Sequence, residues 1–184
     1  YQLHNLGGGT AKTVFASIIS RYQDPDGDLG ISDEGWEIAA KFLGNAHNIA
    51  DGEDAVGSVI DGTYPMDEHW ASGVLTEQKD RDYKFQIMTP DIGEPYVVES
   101  LAISAGTKKY DTCVAFLNWL GSSDVQLDWS NNYGTIPCQK EALDQVSDDI
   151  KELMETLKPQ DLDWSFIAEN VDAWVEKAEL EYVQ

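Results

Sequence analysis

Three consecutive glycines, Gly7-Gly8-Gly9, follow the apolar-biased stretch YQLHNL and precede a run of apolar residues at helical spacing. That junction constrains the fold more than any other part of the chain. Residues 1–6 suit a strand running into a tight turn. Val14, Ile18 and Tyr22 recur every fourth residue, and Phe15 and Ile19 repeat the same interval. A helix is therefore predicted from Thr10 to about Tyr22, where polar residues and Pro25 stop it. A strand, a glycine turn and a helix in that order leave the helix's unbonded amides facing outward, where they attract negative charge.

The segment GGGTAKT (residues 7–13) also imitates a nucleotide-binding loop, but the glycine that must precede the lysine is replaced by Ala11. No strand ending in a magnesium-binding Asp accompanies it, so a nucleotide hydrolase is not expected. An anion seat is the chemistry that survives. Gly7, Gly8 and Gly9 leave the main chain unobstructed, the amides of Thr10, Ala11 and Lys12 open the helix, and the Thr10 hydroxyl and Lys12 ammonium add charge-assisted bonds to a phosphonate, phosphate or carboxylate. A plain glycine-rich turn with a Thr cap and a solvated Lys explains the same residues, and the sequence alone does not choose between the two.

The 34 acidic against 12 basic residues give a formal charge of −22, which repels phosphate backbones and anionic headgroups, so neither nucleic acid nor a membrane surface is an expected partner. No stretch approaches the ~20 apolar residues of a membrane helix. At 184 residues with 42% hydrophobic content and six Trp, the chain can bury a core as one good-sized domain or two small lobes. It opens at Tyr1 without a leader-like segment, which fits a mature product or an excised domain.

Further along, Ser32 is an expected N-cap, with Asp33 and Glu34 in the first turn and Trp36, Ala39, Phe42 and Leu43 on the buried face of a helix ending at Gly44-Asn45. A short helix is expected over Asp54–Ile60, closed by Gly62; TYPM then reads as a strand leading into a helix over DEHWASGVL. YKFQIMT and YVVESLAIS, rich in β-branched and aromatic residues, are the clearest predicted strands. Alternation of this kind implies an α/β fold with crossover helices, and from Lys108 onward helical patterns dominate. The boundary is placed in the PDIGEP segment, giving an α/β ligand-binding lobe over 1–92 and a crossing strand with a C-terminal helical part over 93–184.

Two further clusters carry possible chemistry. Asp24, Asp26 and Asp28 imitate a calcium loop, but Leu29 stands where the turn glycine belongs and Gly35 where the bidentate Glu belongs, so at most weak calcium binding is expected. Tyr64, Asp67, Glu68, His69 and Trp70 gather two carboxylates, an imidazole and a large aromatic at one predicted strand end, a set able to grip an amine or a metal. No second His at metal-ligand spacing accompanies them, and helix capping explains the acids equally well. His4 and His47 are read as structural or surface histidines. Cys113 and Cys138 lack metal-site spacing and are read as two buried thiols rather than a bridge.

In order, these pieces resemble the extracellular solute-binding proteins of ABC importers, the group that carries iron, phosphonates, thiamine, sugar phosphates and polyamines. The resemblance rests on Gly8-Gly9-Thr10-Ala11 opening a helix, Gly35-Trp36-Glu37 opening the next, and Val59 with Gly62-Thr63-Tyr64-Pro65. It continues through Leu101–Lys108, then Phe116, Leu117, Leu120, Ser122 or Ser123 and Gln126, and finally Tyr133-Gly134-Thr135-Ile136-Pro137.

It implies a periplasmic-binding-protein-like lobe with a mixed sheet flanked by helices, from the C-terminal portion of such a receptor, located outside the cell or in the periplasm. It further implies a small-molecule ligand held between lobes, ABC importer membrane subunits as partners, and no cofactor or catalysis. The implied ligand residues are Gly8, Gly9, Thr10, Ala11 and Lys12 at one end and Glu68, His69 and Trp70 at the other, with Glu94 and Tyr96 bordering the cleft. The family's iron binders carry paired tyrosines where this chain has Glu68, His69 and Trp70, so ferric iron is not the expected ligand; an anionic or zwitterionic solute such as an organophosphonate is. The competing expectations are an α/β enzyme acting on a phosphorylated small molecule, with His69 as base and Asp67 as its orienter, and an interaction module with a vestigial site.

Overall fold

The computed structural model describes residues 1–183. In chain order the elements are β1 (Gln2–Leu3), α1 (Gly9–Ile19), β2 (Gln23–Asp28), α2 (Asp33–Gly44), β3 (His47–Asn48), α3 (Ala55–Ile60), α4 (Ala71–Arg81), α5 (Tyr110–Leu120), α6 (Ser123–Tyr133), α7 (Lys140–Leu143), α8 (Asp148–Thr156) and α9 (Trp164–Glu181). They form two compact units, one of residues 1–69 and 160–183, the other Trp70–Pro159. The 92/93 boundary read from the sequence lies inside the second unit. Return of α9 to the first unit is the reason the division is not a simple cut: a long-range packing choice leaves no Pro/Gly signal in the chain.

In the first unit β1 pairs in parallel with β3, in the register Gln2↔His47 and Leu3↔Asn48, and on its other side forms a single parallel bridge from Gln2 to Asp67. The sheet is thus small and parallel. The Gln2 side chain is buried among it and donates to the Ala55 carbonyl at 2.9 Å, which satisfies a polar group inside the core. Helix α1 packs its Ala11, Phe15, Ala16 and Ile19 face against α2 and α9, joining Leu3, Leu6, Trp36, Ala39, Leu43, Ile167, Trp174 and Ala178 in one core. Ser32 caps α2 as expected, its Oγ accepting from Gly35 N at 3.3 Å, and Asp54 caps α3 by accepting from Gly57 N at 3.0 Å.

Between α1 and α2 the acidic segment folds back as a hairpin, with bridges from Gln23 and Asp28 to Ile31. The turn places Leu29 at φ 51° and Gly30 at φ 76°, a left-handed region that glycine tolerates and leucine does not. Trp174 of α9 is fully buried and donates its indole N–H to the Leu29 carbonyl at 2.9 Å, so the strained residue is held by a hydrogen bond from another part of the chain.

The second unit is helical. Its buried residues include Ala142, Val146, Ile150 and Leu153, and the Gln126 side chain joins it together by donating to Leu120 O at 2.9 Å and accepting from Cys138 N at 3.2 Å. Gly134 ends α6 at φ 69°, where an added Cβ would stand 2.9 Å from the Ser72 carbonyl oxygen. That geometry gives the Tyr133–Pro137 motif its glycine.

Three readings need correction. YKFQIMT, YVVESLAIS and TYPM form no strand, and the one bridge nearby falls at Asp67, just after TYPM. Period-two patterning describes a surface that fits a sheet, but a strand exists only where a neighbour's backbone completes the ladder, and Val97, Val98 and Leu101 of these segments are exposed. The helix expected from Asp67 begins at Ala71. Both cysteines are free, but Cys138 is exposed and Cys113 half-buried, so they are not core residues.

Candidate functional site

The parallel arrangement picks out one location. From β1 the chain crosses to β3 on one flank, and from β3 it crosses back to pair residue 67 on the other flank of β1. Tyr1 O accepts from His47 N at 2.8 Å, Leu3 O from Ile49 N at 3.1 Å and Met66 O from Gln2 N at 2.9 Å. Connections leaving a strand in opposite directions open a crevice beyond its carboxyl end, the position where open parallel sheets hold ligands. His4 and the glycine turn follow the carboxyl end of β1; Glu68 and His69 follow the bridge at Asp67.

In the turn, Asn5 accepts from both glycine amides, its Oδ1 from Gly7 N at 2.7 Å and its carbonyl from Gly8 N at 2.8 Å. Gly8 is the extended N-cap of α1 without a capping side chain, and the first turn contains no acidic residue. Lys12 N is the first amide to close a helical bond, to Gly8 O at 3.1 Å, so the amides of Gly9, Thr10 and Ala11 lie ahead of the ladder. Gly7, Gly8 and Gly9 are exposed, and an added Cβ at Gly9 would meet no atom within 4 Å. Ala11 is fully buried in the core, and Lys12 Nζ is 3.0 Å from Asp172 of α9, so its charge is already engaged.

At the same end of the sheet, His4, Asp67 and His69 place one ligand atom each within 4.8 Å of one another. The imidazoles of His4 and His69 are 6.3 Å apart between ring centroids, and His69 Nδ1 lies 3.4 Å from Asp67 Oδ2. The side chains of His69 and Asp67 are only 13% and 8% exposed. Glu68 is half-buried beside them, and its carboxyl is pushed up to about 7, by burial first and then by the neighbouring Asp67 charge. The second histidine that spacing failed to supply is His4, brought in by the pairing of β1 with residue 67. No local motif connects residues that far apart; the one available signal was that His4 ends the first strand of an α/β pattern. His47 is elsewhere engaged, 3.0 Å from Glu53 Oε2 and stacked on Tyr64 at 4.6 Å.

The other expected site residues fall differently. Trp70, Glu94 and Tyr96 belong to the second unit. Trp70 is half-exposed immediately before α4. Glu94 forms a two-point clasp, its amide donating to Lys158 O at 2.7 Å and its Oε2 accepting from Lys158 N at 2.9 Å, and the Tyr96 phenol is raised by burial and then by Glu94. Of the acids read as a calcium loop, Asp24 accepts from Asp26 N at 3.0 Å and Asp28 pairs with Lys177 at 3.2 Å, whose ammonium also lies over the Trp36 ring.

The sequence profile described as bacterial extracellular solute-binding protein matches residues 7–158. The probable ABC transporter periplasmic-binding protein y4fP of Sinorhizobium fredii (strain NBRC 101917 / NGR234) is 32% identical over 184 residues, which is 100% of this chain and 51% of that protein. The chain thus spans about half the length of the curated relative it matches. No solved structure matches. Among the described residues no helix is long and apolar enough to cross a membrane.

Proposed function

Because the chain belongs to the bacterial extracellular solute-binding proteins, we propose that it supplies part of the solute site of an ABC importer's receptor, with an anionic group of the solute seated on the amides that open α1. The observation that carries this reading is the uncapped, exposed start of α1 beyond the carboxyl end of β1, free of acidic residues in its first turn. The unbonded amides of Gly9 and Thr10 and the positive end of the helix favour a phosphonate-like, phosphorylated or carboxylate group, and the nearby acids and imidazoles at the same end of the sheet suit a cationic group on the same molecule. In this reading Thr10 adds its hydroxyl. Delivery of the solute to membrane subunits follows from the family. Nothing in the site favours turnover by His69 and Asp67 over binding.

The test separates stability from binding. Gly9 has room for a side chain, so Gly9→Asp should stabilise the fold by about 0.3–1 kcal/mol through the helix dipole while its carboxylate occupies the seat. Titration calorimetry with 2-aminoethylphosphonate and with glycerol 3-phosphate should show binding to the parent chain and at least a tenfold loss, about 1.4 kcal/mol, in the variant. Unchanged affinity with a raised melting temperature would place the anion elsewhere.

A further inference from the structure

We infer that His4, Asp67 and His69 form a binding site for one divalent transition-metal ion of the zinc class. This goes beyond the anion seat and is read without any solute. The argument starts from the Asp67 carboxylate, whose side chain is 8% exposed and neither of whose oxygens accepts a hydrogen bond among the described residues. His69 Nδ1 approaches it to 3.4 Å. A buried carboxylate without hydrogen bonds is costly, and the Glu68 carboxyl beside it is also buried without a hydrogen-bond partner. Nε2 of His4 is likewise buried without a hydrogen-bond partner.

A divalent cation resolves all of these at once. Tetrahedral ligands at about 2.0–2.2 Å from zinc stand roughly 3.3–3.6 Å from one another, and the Nδ1–Oδ2 separation of 3.4 Å already has that value. The remaining ligand atoms lie within 4.8 Å and need side-chain rotation of about an ångström rather than backbone movement. Two imidazoles with one carboxylate exclude a preference for magnesium or calcium, which take oxygen ligands, and suit zinc, nickel or copper. Strand ends fix the ligands, His4 directly after β1 and Asp67 on the bridge beside it, so the pairing of Gln2 with Asp67 sets the geometry.

The chain has three histidines, so its own imidazoles report the outcome. In long-range 1H–15N spectra of the 184-residue chain, with Cys113 and Cys138 alkylated, one equivalent of Zn2+ should shift the ring nitrogens of His4 and His69 and leave His47 in place. Competition against a chromophoric chelator should show His4→Ala, Asp67→Asn and His69→Ala each losing at least about tenfold in Zn2+ affinity, the scale that even an outer partner of a metal site commands, and His47→Ala losing none. The spectra use the unsubstituted chain and stand even if a variant fails to fold. Any other pattern overturns the proposal: no response at one equivalent, a response of His47 with the others, a response of one member of the His4–His69 pair alone, or folded variants with parental affinity.

Discussion

Truncating Trp174 tests whether α9 is part of the first unit's core rather than an appendage. The side chain is fully buried, meets Phe166 at 5.2 Å between ring centroids, and donates to the carbonyl of Leu29, the leucine held at φ 51°. Large-to-small replacement of a buried aromatic costs about 3–5 kcal/mol in lost transfer energy and residual cavity. Loss of the indole donor adds about 1 kcal/mol, kept low because water can reach the half-exposed turn. Trp174→Ala is therefore expected to destabilise by at least about 3 kcal/mol, and Trp174→Phe, which retains most of the buried area, by about 1–2 kcal/mol. At about 4–8 °C per kcal/mol for a domain of 60–100 residues, the alanine variant should melt roughly 12 °C or more below the parent. Urea denaturation followed by near-ultraviolet circular dichroism gives the free energies directly. A loss below about 1 kcal/mol for Trp174→Ala would refute the reasoning, because a fully buried indole cannot be removed from a packed core at so small a cost.

Two other substitutions probe the same unit. Gly35→Ala puts a Cβ 2.5 Å from Ile31 Cγ2 and 2.6 Å from Tyr22 Cβ, so thermal denaturation should show about 1–3 kcal/mol of destabilisation despite alanine's better helix propensity; a neutral result would mean that the hairpin gives way freely. Lys12→Ala removes an ion pair whose Asp172 side chain is 89% exposed, so it should cost under about 1 kcal/mol of stability. With the ammonium already held by Asp172, calorimetry should find anion affinity changed less than about threefold, roughly 0.6 kcal/mol, and a tenfold loss would return Lys12 to the seat.

Legibility followed the range of the interactions. Apolar spacing, the Ser32 cap and the Gly62 stop located α1, α2 and α3 within a few residues, because helix bonds close within four residues of sequence. The GGGTA junction likewise announced the start of α1. Strands over residues 83–89 and 96–104 were misread, since their formation depends on a neighbour that local pattern cannot name. Lys12 illustrates a finer failure: its charge is plain in the sequence, but its engagement with a residue of α9 is not.

By itself, then, the sequence determined the helices, the glycine opening of α1, the acidity that disfavours polyanionic partners, and the ordered motifs of a solute-binding protein. Only the tertiary structure decided that α9 returns to close the first core on Trp174, and that Gln2 pairs with Asp67 so that His4 meets His69. The division has a physical cause. Propensity, capping and charge act over a few residues or through their sum, whereas strand neighbours and core partners are chosen by the whole chain's competition for burial and hydrogen bonds, which no short stretch contains.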